Sequence, residues 1–253
     1  HIGNFRNFRH LVDNKLKIFK SIRLISGLVN YNYDTNFIKN KLNRKVELVN
    51  SENIEKKIFF NKKKYTINFI HNKRKYCIES TRGEFYINIA IISFLFVNKF
   101  LNKIRFKVSF HEESIIESRG KEVLTNIGSK RITFFDHSYN ASPHSLNKQI
   151  LIFHERNVKQ KVYILGSMKE LGVQTDFFHL QIIELATRLN LKKIIFIGDE
   201  FYKFKKKFNK FVFYKNYIPA INYFKKEIKD VKNIFVMGSR SNKLDRIIKQ
   251  YAK

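Results

Sequence analysis

From residue 130 onward the chain alternates short apolar runs with amphipathic stretches, and this alternation restricts its fold more than any other feature. The runs are "RITFFD", "KVYIL", "KKIIFI", "KFVFY" and "KNIFVM", rich in β-branched and aromatic residues and poor in polar positions inside. A strand with one face in water would alternate polar and apolar residues. Strands covered by helices on both faces read instead as near-continuous apolar runs. Between the runs lie "SPHSLNKQILIFHE" and helical stretches near 176–189, 218–229 and 242–252. Ser142 suits the N-cap of the first helix, and Pro143 its first turn, where a missing N–H costs nothing. The order predicts an α/β fold, a Rossmann-like, doubly wound, mostly parallel sheet.

The first part of the chain reads differently. "KVELVN", "KKIFF", "KYTINFI" and "KYCIES", between 45 and 80, are short β-rich runs separated by "NSEN", "NKK" and "HNKR", which suggests a small antiparallel meander. Around it lie a helical segment near 5–20, a strand near 23–29 and an apolar helix near 84–100. The most apolar run, "FYINIAIISFLFV", contains Asn88 and Ser93 and ends at Asn98 and Lys99. It falls short of the roughly 18 apolar residues of a membrane span, so a buried helix is expected. At 253 residues the chain has room for two domains.

The apolar and aromatic content is that of a globular protein rather than a disordered one. A single cysteine, Cys77, excludes a disulfide framework within the chain and fits a reducing compartment, so the cytoplasm is expected. The chain begins at His1 and reads as a fragment or a processed product. Its net charge of +29 would ordinarily suggest nucleic acid, and "FYKFKKKFNKFVFYK" interleaves aromatics with lysines as single-strand binders do. Lysine is, however, spread through every segment together with heavy Ile, Asn and Phe usage, as in an A+T-rich coding sequence. Nucleic acid is therefore not the expected partner.

In a doubly wound sheet ligands sit at the carboxyl ends of the strands. The loops there are "DHSYNAS" (136–142), "GSMKELG" (166–172), "GDEFY" (198–202) and "GSRSN" (238–242). Small hydroxyl residues and a single arginine make this a plausible anion crevice. Asp136 and His137 would suit metal binding or proton transfer, with His137 titrating near neutrality if exposed; alternatively, Asp136 ends its strand and ties down the loop backbone. Ser239 and Arg240 precede the last helix, with Ser241 its expected N-cap and Arg240 able to clamp a carboxylate or phosphate. His179, beside Phe177, Phe178 and Leu180, reads as a packed structural histidine. The chain contains no G-x-x-x-x-G-K-[ST] loop and no Cys-x-x-Cys or His-x-x-x-His pair.

"FFDHSYNASPHSL", "ILGSMKELGVQTDFFH" and "VMGSRSNKLDRI" resemble, in order and spacing, the carboxyl-terminal domain of the Mur ligase family, in its D-alanyl-D-alanine-adding branch. The usual forms there are D-D-S-Y-N-A-N-P, L-G-D-M-x-E-L-G and K-G-S-R-S. Upstream, "SRGK" looks like the G-R-G segment at the domain junction, and "FYINIAIISF" like the N-x-x-N-A-L-A-A helix, with Asn88 as the second asparagine. "HIGNFRNFRHLVDNKLKIF" is similar to H-L-E-x-F-G-S-x-x-x-x-x-x-K-x-E-I-F. The resemblance implies residues 1–110 as an incomplete central domain lacking its phosphate-binding loop, and 111–253 as the Rossmann-like carboxyl-terminal domain.

It also implies site residues. His1 falls on the metal-binding histidine and Lys15 on the lysine that is carbamylated, which would give Mg²⁺ anionic oxygens in place of a repelling ammonium. Arg119, Asp136, Ser138, Tyr139 and Asn140 match ATP-contacting positions, and Ser239 and Arg240 fall in the substrate-side G-S-R-S motif. The implied activity is ATP-dependent joining of D-alanyl-D-alanine to UDP-N-acetylmuramoyl tripeptide through an acyl phosphate, by a monomeric cytoplasmic enzyme. Residues 1–253 alone are not expected to turn over ATP. Departures from the family pattern are His137 for the second aspartate, Ser142 for asparagine, Ser167 for the aspartate of L-G-D-M, Met237 for lysine, and "RGEF" without its histidine. A folylpolyglutamate-type ligase, a basic nucleic-acid-binding module and an inactive remnant are the rival readings.

Overall fold

The computed structural model describes residues 7–20, 26–30, 38, 40–42, 45–61, 64–80, 86–101, 108–110, 118–127, 129–227 and 231–251. Two compact units divide the chain, Arg6–Ser114 and Ile115–Lys253.

The first unit contains α1 (Phe8–Leu16), β1 (Gly27–Asn30), β2 (Val46–Val49), β3 (Lys56–Asn61), β4 (Lys64–His71), β5 (Arg74–Ser80), α2 (Ile87–Leu101) and β6 (Val108–Phe110). Asn7 caps α1 by accepting the His10 N–H. Strands β3, β4 and β5 form the expected antiparallel meander. Asn72 and Lys73 turn its second hairpin with positive φ at both positions, the geometry that matches strand twist. The run at 46–49 does not join this meander: β2 pairs in parallel with β1, and β6 adds in parallel to β5. An apolar run shows that a strand exists but not which partner it takes. Helix α2 buries Ile87, Ala90, Ile91, Phe94 and Leu95 against Ile67, Phe69 and Ile78 of the sheet. Among the described residues no helix is long and apolar enough to cross a membrane.

The second unit is the predicted α/β sandwich. Strands β7 (Lys121–Ile127) and β8 (Lys130–His137) are followed by α3 (Pro143–Glu155), β9 (Lys161–Gly166), α4 (Thr175–Arg188) and β10 (Ile194–Ile197). Then come α5 (Asp199–Tyr202), β11 (Val212–Tyr214), α6 (Tyr217–Glu227), β12 (Asn233–Met237) and α7 (Asp245–Tyr251). The strand order is β11-β10-β9-β12-β8-β7, parallel except for β7, which pairs antiparallel with β8. Strand β7 is absent from the sequence expectation because, as an edge strand, it carries mostly polar, exposed positions.

Side-chain alternation sorts the strands onto two helix layers. Phe135, Tyr163, Leu165, Phe196, Phe235 and Met237 pack with α3, α4 and α5. Ile132, Phe134, Ile164, Ile195, Ile197 and Val236 pack with α6 and α7 on the other face. The continuous apolar runs thus follow from coverage on both faces, at about 1.5–3 kcal/mol for each large side chain removed from water. The aromatics of residues 201–215 also belong to this core. Phe201, Phe211 and Phe213 are buried, Phe204 and Phe208 pack against them, and Lys210 lies 4.9 Å above the Phe211 ring. Rings packed inward in this way are not a platform for stacking bases.

Candidate functional site

Because β8, β9, β10 and β12 run in parallel, the loops after them gather at one edge of the sheet. The loops after β8 and β9 lead to helices on one face, whereas β12, lying between those strands, leads to α7 on the other. Loops that part to opposite faces leave a crevice, the usual ligand position in such folds.

At the end of β8, Asp136 does what its loop position suggests. Its Oδ1 accepts the Ser138 N–H at 3.0 Å and the Ser138 hydroxyl at 2.7 Å, and Ser138 is fully buried. Pairing of Lys121 with Asp136 brings residues 118–120 alongside. The Gly120 N–H donates to the Asp136 carbonyl at 2.6 Å, and the Tyr139 N–H to the Ser118 carbonyl at 3.0 Å. Ser118, buried with φ +64, makes the tight corner that this needs. The Arg119 guanidinium then lies 4.0 Å over the Tyr139 ring, which is 42% exposed. Asn140 Oδ1 accepts the Ala141 N–H, and Ser142 with Ser145 forms a capping box on α3. Four of the five expected nucleotide-side residues, Arg119, Asp136, Ser138 and Tyr139, are therefore tied to one another. They present a cation, an aromatic face and a helix amino terminus, which suit phosphate and a planar base.

His137 does not carry a charge near neutrality. Half-buried and 5.4 Å from the Phe235 ring, its imidazole is pushed down by burial to a pKa of about 4. His179 is the structural histidine expected: fully buried, it accepts the Met168 N–H at Nε2 (2.9 Å) and donates from Nδ1 to the Thr175 carbonyl (2.6 Å). That pair of bonds fixes the Nδ1–H tautomer, and burial lowers the pKa of this ring too.

Between β9 and β12 the loops close on each other. The Ser239 N–H donates to the Ser167 carbonyl at 3.2 Å, and the Lys169 N–H to the buried Ser239 hydroxyl at 3.0 Å. Asn242 fills the gap, donating from Nδ2 to the carbonyls of Ser167 (2.7 Å) and Ser239 (3.0 Å) and accepting the Ser167 hydroxyl at Oδ1 (3.0 Å). Gly238 permits the approach, since a Cβ there would lie 2.7 Å from Gly166 Cα. Gly198 has φ +116, and a Cβ on it would meet Ser167 Oγ at 2.1 Å. Lys169 forms an ion pair with Glu200 of α5.

Arg240 is exposed, with Nη1 3.6 Å from Asp245. Ser241 is not the cap of the last helix: residues Arg240–Asn242 form a 3₁₀ turn, Lys243 takes a left-handed conformation, and α7 begins only at Asp245. Lys169, Glu200 and Asn242, which join these loops, lie within stretches flagged as carboxyl-end loops, but nothing local in the sequence marks them. Of the two residues expected to hold metal, Lys15 is exposed in the last turn of α1, and His1 lies outside the described residues. Among the described residues no three His, Cys, Asp or Glu side chains are grouped to hold a metal ion.

No family model matches the chain. It is 32% identical over 146 residues to a UDP-N-acetylmuramoyl-tripeptide–D-alanyl-D-alanine ligase of Borreliella burgdorferi, covering 54% of this chain and 31% of that protein. Over its whole length it is 24% identical to the ligase of the same name from Buchnera aphidicola subsp. Baizongia pistaciae, covering 56% of that protein. The chain thus spans at most a little over half of these relatives. Its fold matches MurF from Acinetobacter baumannii with a TM-score of 0.74 at 16% identity, covering 99% of this chain and 56% of that one. It also matches a MurF ligase from Thermotoga maritima solved in complex with ADP, with a TM-score of 0.67 at 18% identity, covering 96% and 57%.

Proposed function

We propose, for a chain that is MurF-like in sequence and fold, that the protein carrying it is an ATP-dependent amide ligase of peptidoglycan precursor synthesis. The carboxylate of UDP-N-acetylmuramoyl tripeptide attacks the γ-phosphorus of ATP, ADP leaves, and an acyl phosphate forms. The amine of D-alanyl-D-alanine then attacks the acyl carbon, phosphate departs, and the nitrogen loses a proton. Such transfers depend mainly on positioning and charge neutralisation. Arg119 and the amino terminus of α3 serve the phosphates, Tyr139 the base, and Asp136, Ser138 and Asn140 hold the loop in shape. Arg240, exposed beside Asp245, faces the acceptor, and the buried Ser239 braces the loop that carries it. The observation that carries this reading is the joining of Arg119 to Tyr139 and of Asp136 to Ser138 and Gly120, residues from two separate family-like motifs.

The domain assignment belongs to the same reading: residues 1–110 as the remainder of a central domain and 111–253 as the carboxyl-terminal domain. The separation of compact units at Ile115 supports it. Lys15 as a carbamate and His1 would hold Mg²⁺; the exposed position of Lys15 in the last turn of α1 leaves it open to the ion. When bound, the ion supplies charge neutralisation at the phosphoryl oxygens. We place the enzyme in the bacterial cytoplasm as a monomer serving cell-wall growth and division. The test is phosphate release by the full-length gene product. Release that requires both tripeptide nucleotide and D-alanyl-D-alanine is expected; release independent of both, or none, overturns the reading.

A further inference from the structure

An open cavity of about 690 Å³ lies at the edge of the six-stranded sheet where β8, β9 and β12 begin, the end opposite the loops described above. That volume falls within the range of about 300–1,000 Å³ usual for small-molecule sites. Its floor follows from strand register. Leu124 of β7 pairs with Thr133 of β8, and Thr133 with Asn233 of β12, so the three side chains share one face. Two residues further along, Phe135 and Phe235 pack on Phe153 of α3. The row of Leu124, Thr133 and Asn233 is left open, with Leu124 52% exposed and the other two half-buried. One wall is the chain entering β9. Gln160, at φ +54, accepts the N–H groups of Lys232 and Asn233 at its carbonyl, both at 3.2 Å, and Asn233 Nδ2 donates to the Lys159 carbonyl at 2.8 Å.

Lys130, Arg131 and Lys232 also line this cavity, and among the described residues no acidic side chain does. The Arg131 guanidinium and the Lys232 ammonium have no side-chain partner among the described residues. Cations gathered around a concave surface reinforce one another's field, whereas the same charges spread over a convex surface are each screened by water. We propose that the cavity is a binding site for a small phosphorylated anion, separate from the crevice at the carboxyl ends of the strands. Arg131 supplies a planar fork of donors that matches two phosphate oxygens, Lys130 and Lys232 supply point charges, and Thr133 a hydroxyl. A tetrahedral phosphate accepts hydrogen bonds from several directions at once and so suits donors from three segments better than a planar carboxylate does. The bound anion cancels the repulsion among the three cations and ties the β7–β8 hairpin to the start of β12.

Inorganic pyrophosphate is the probe, titrated into the full-length protein by calorimetry at about 0.15 M salt, where loose attraction between an anion and a basic surface is largely screened. Saturable binding is expected. Arg131→Gln should weaken it about tenfold or more, the loss that follows removal of a bond between charged groups, and Lys232→Gln by a similar factor. Lys206→Gln removes the same charge from an exposed turn elsewhere in the unit and should change the affinity less than about twofold. Both Arg131 and Lys232 are exposed, so their variants should melt with wild type in the absence of pyrophosphate, and pyrophosphate should raise the wild-type melting temperature more than theirs. Citrate, a carboxylate anion of similar charge, should bind at least about tenfold more weakly than pyrophosphate. An affinity unchanged in both Arg131→Gln and Lys232→Gln overturns the site, because the anion is then held elsewhere, the nucleotide crevice included. Equal weakening by Lys206→Gln, or binding that does not saturate, overturns it as well, leaving only the diffuse attraction of a basic chain. Citrate binding as tightly as pyrophosphate overturns the assignment to phosphate.

Discussion

The loop after β8 and the loops after β9, β10 and β12 use similar residues, glycine, serine and asparagine with one arginine nearby, but to different ends. After β8 the backbone is braced from behind, by Asp136 and by residues 118–120, and the exposed side chains Arg119 and Tyr139 are left facing outward. After β9 and β12 the side chains themselves are the bracing: Asn242 occupies the crevice, and three of its four hydrogen-bonding capacities are used, two on Ser167 of the neighbouring loop and one on Ser239 of its own. Glycine and serine at a strand end therefore do not by themselves signify a ligand cradle. What separates the cases is whether the polar atoms beside the strand ends are spent on the protein or left facing out; in the second region the exposed Arg240 stands at the rim of a braced set of loops.

If the second region is a lock, breaking its closest contact should cost the most. Gly198→Ala forces a side chain onto a backbone with φ +116 and into Ser167. A loss of about 3 kcal/mol in denaturant unfolding of the second unit is expected, the scale of a strained position combined with a clash. Asn242→Ala removes three hydrogen bonds and leaves the Ser167 and Ser239 carbonyls without that donor, so about 2 kcal/mol is expected. If either variant unfolds like wild type, the loops are held by something other than the contacts described.

The outward-facing region should answer differently. Arg119→Ala takes an exposed side chain from an already braced loop, so the melting temperature should stay near that of wild type. KM for ATP in the full-length enzyme should rise about tenfold. A large loss of stability with unchanged ATP affinity would make Arg119 part of the frame and remove the distinction between the two regions.

The contrast also explains what could be read from the sequence. Strands β8 to β12 were legible because burial on both faces leaves almost no polar positions, and α3 because Ser142 and Pro143 are start signals with a local cause. Strand β7 was not, since at a sheet edge its polar residues look like a loop. The parallel partner of β2 was not, since pairing is decided by tertiary packing. The residues of the first site are contiguous apart from Arg119, so a motif shows them. Those of the second are joined across 31 residues between Lys169 and Glu200 and 75 between Ser167 and Asn242, a distance over which no local pattern operates. The expected cap at Ser241 failed for a related reason: the 3₁₀ turn that seats Asn242 in the crevice delays the helix to Asp245.

The smallest effect concerns His137, which stands at the margin of the first region. Its pKa is about 4 in the folded protein against an ordinary 6.5, because burial beside Phe235 disfavours the imidazolium. As pH falls below about 6.5 the unfolded chain takes up this proton first, and the folded chain does so only near 4. The contribution to stability is therefore complete above 6.5, declines between 6.5 and 4, and is constant below. The full shift would correspond to about 3 kcal/mol, but partial solvent contact reduces this to roughly 1 kcal/mol. His137→Gln should remove that slope while leaving the slope from His179, which is common to both proteins and cancels in their difference. Denaturant midpoints of the two proteins at pH 7.5 and pH 4.5 measure it: the gap between them should shift in favour of the variant on acidification. A gap that does not move would mean that the His137 ring is solvated, and the bracing around the β8 loop looser than its hydrogen bonds indicate.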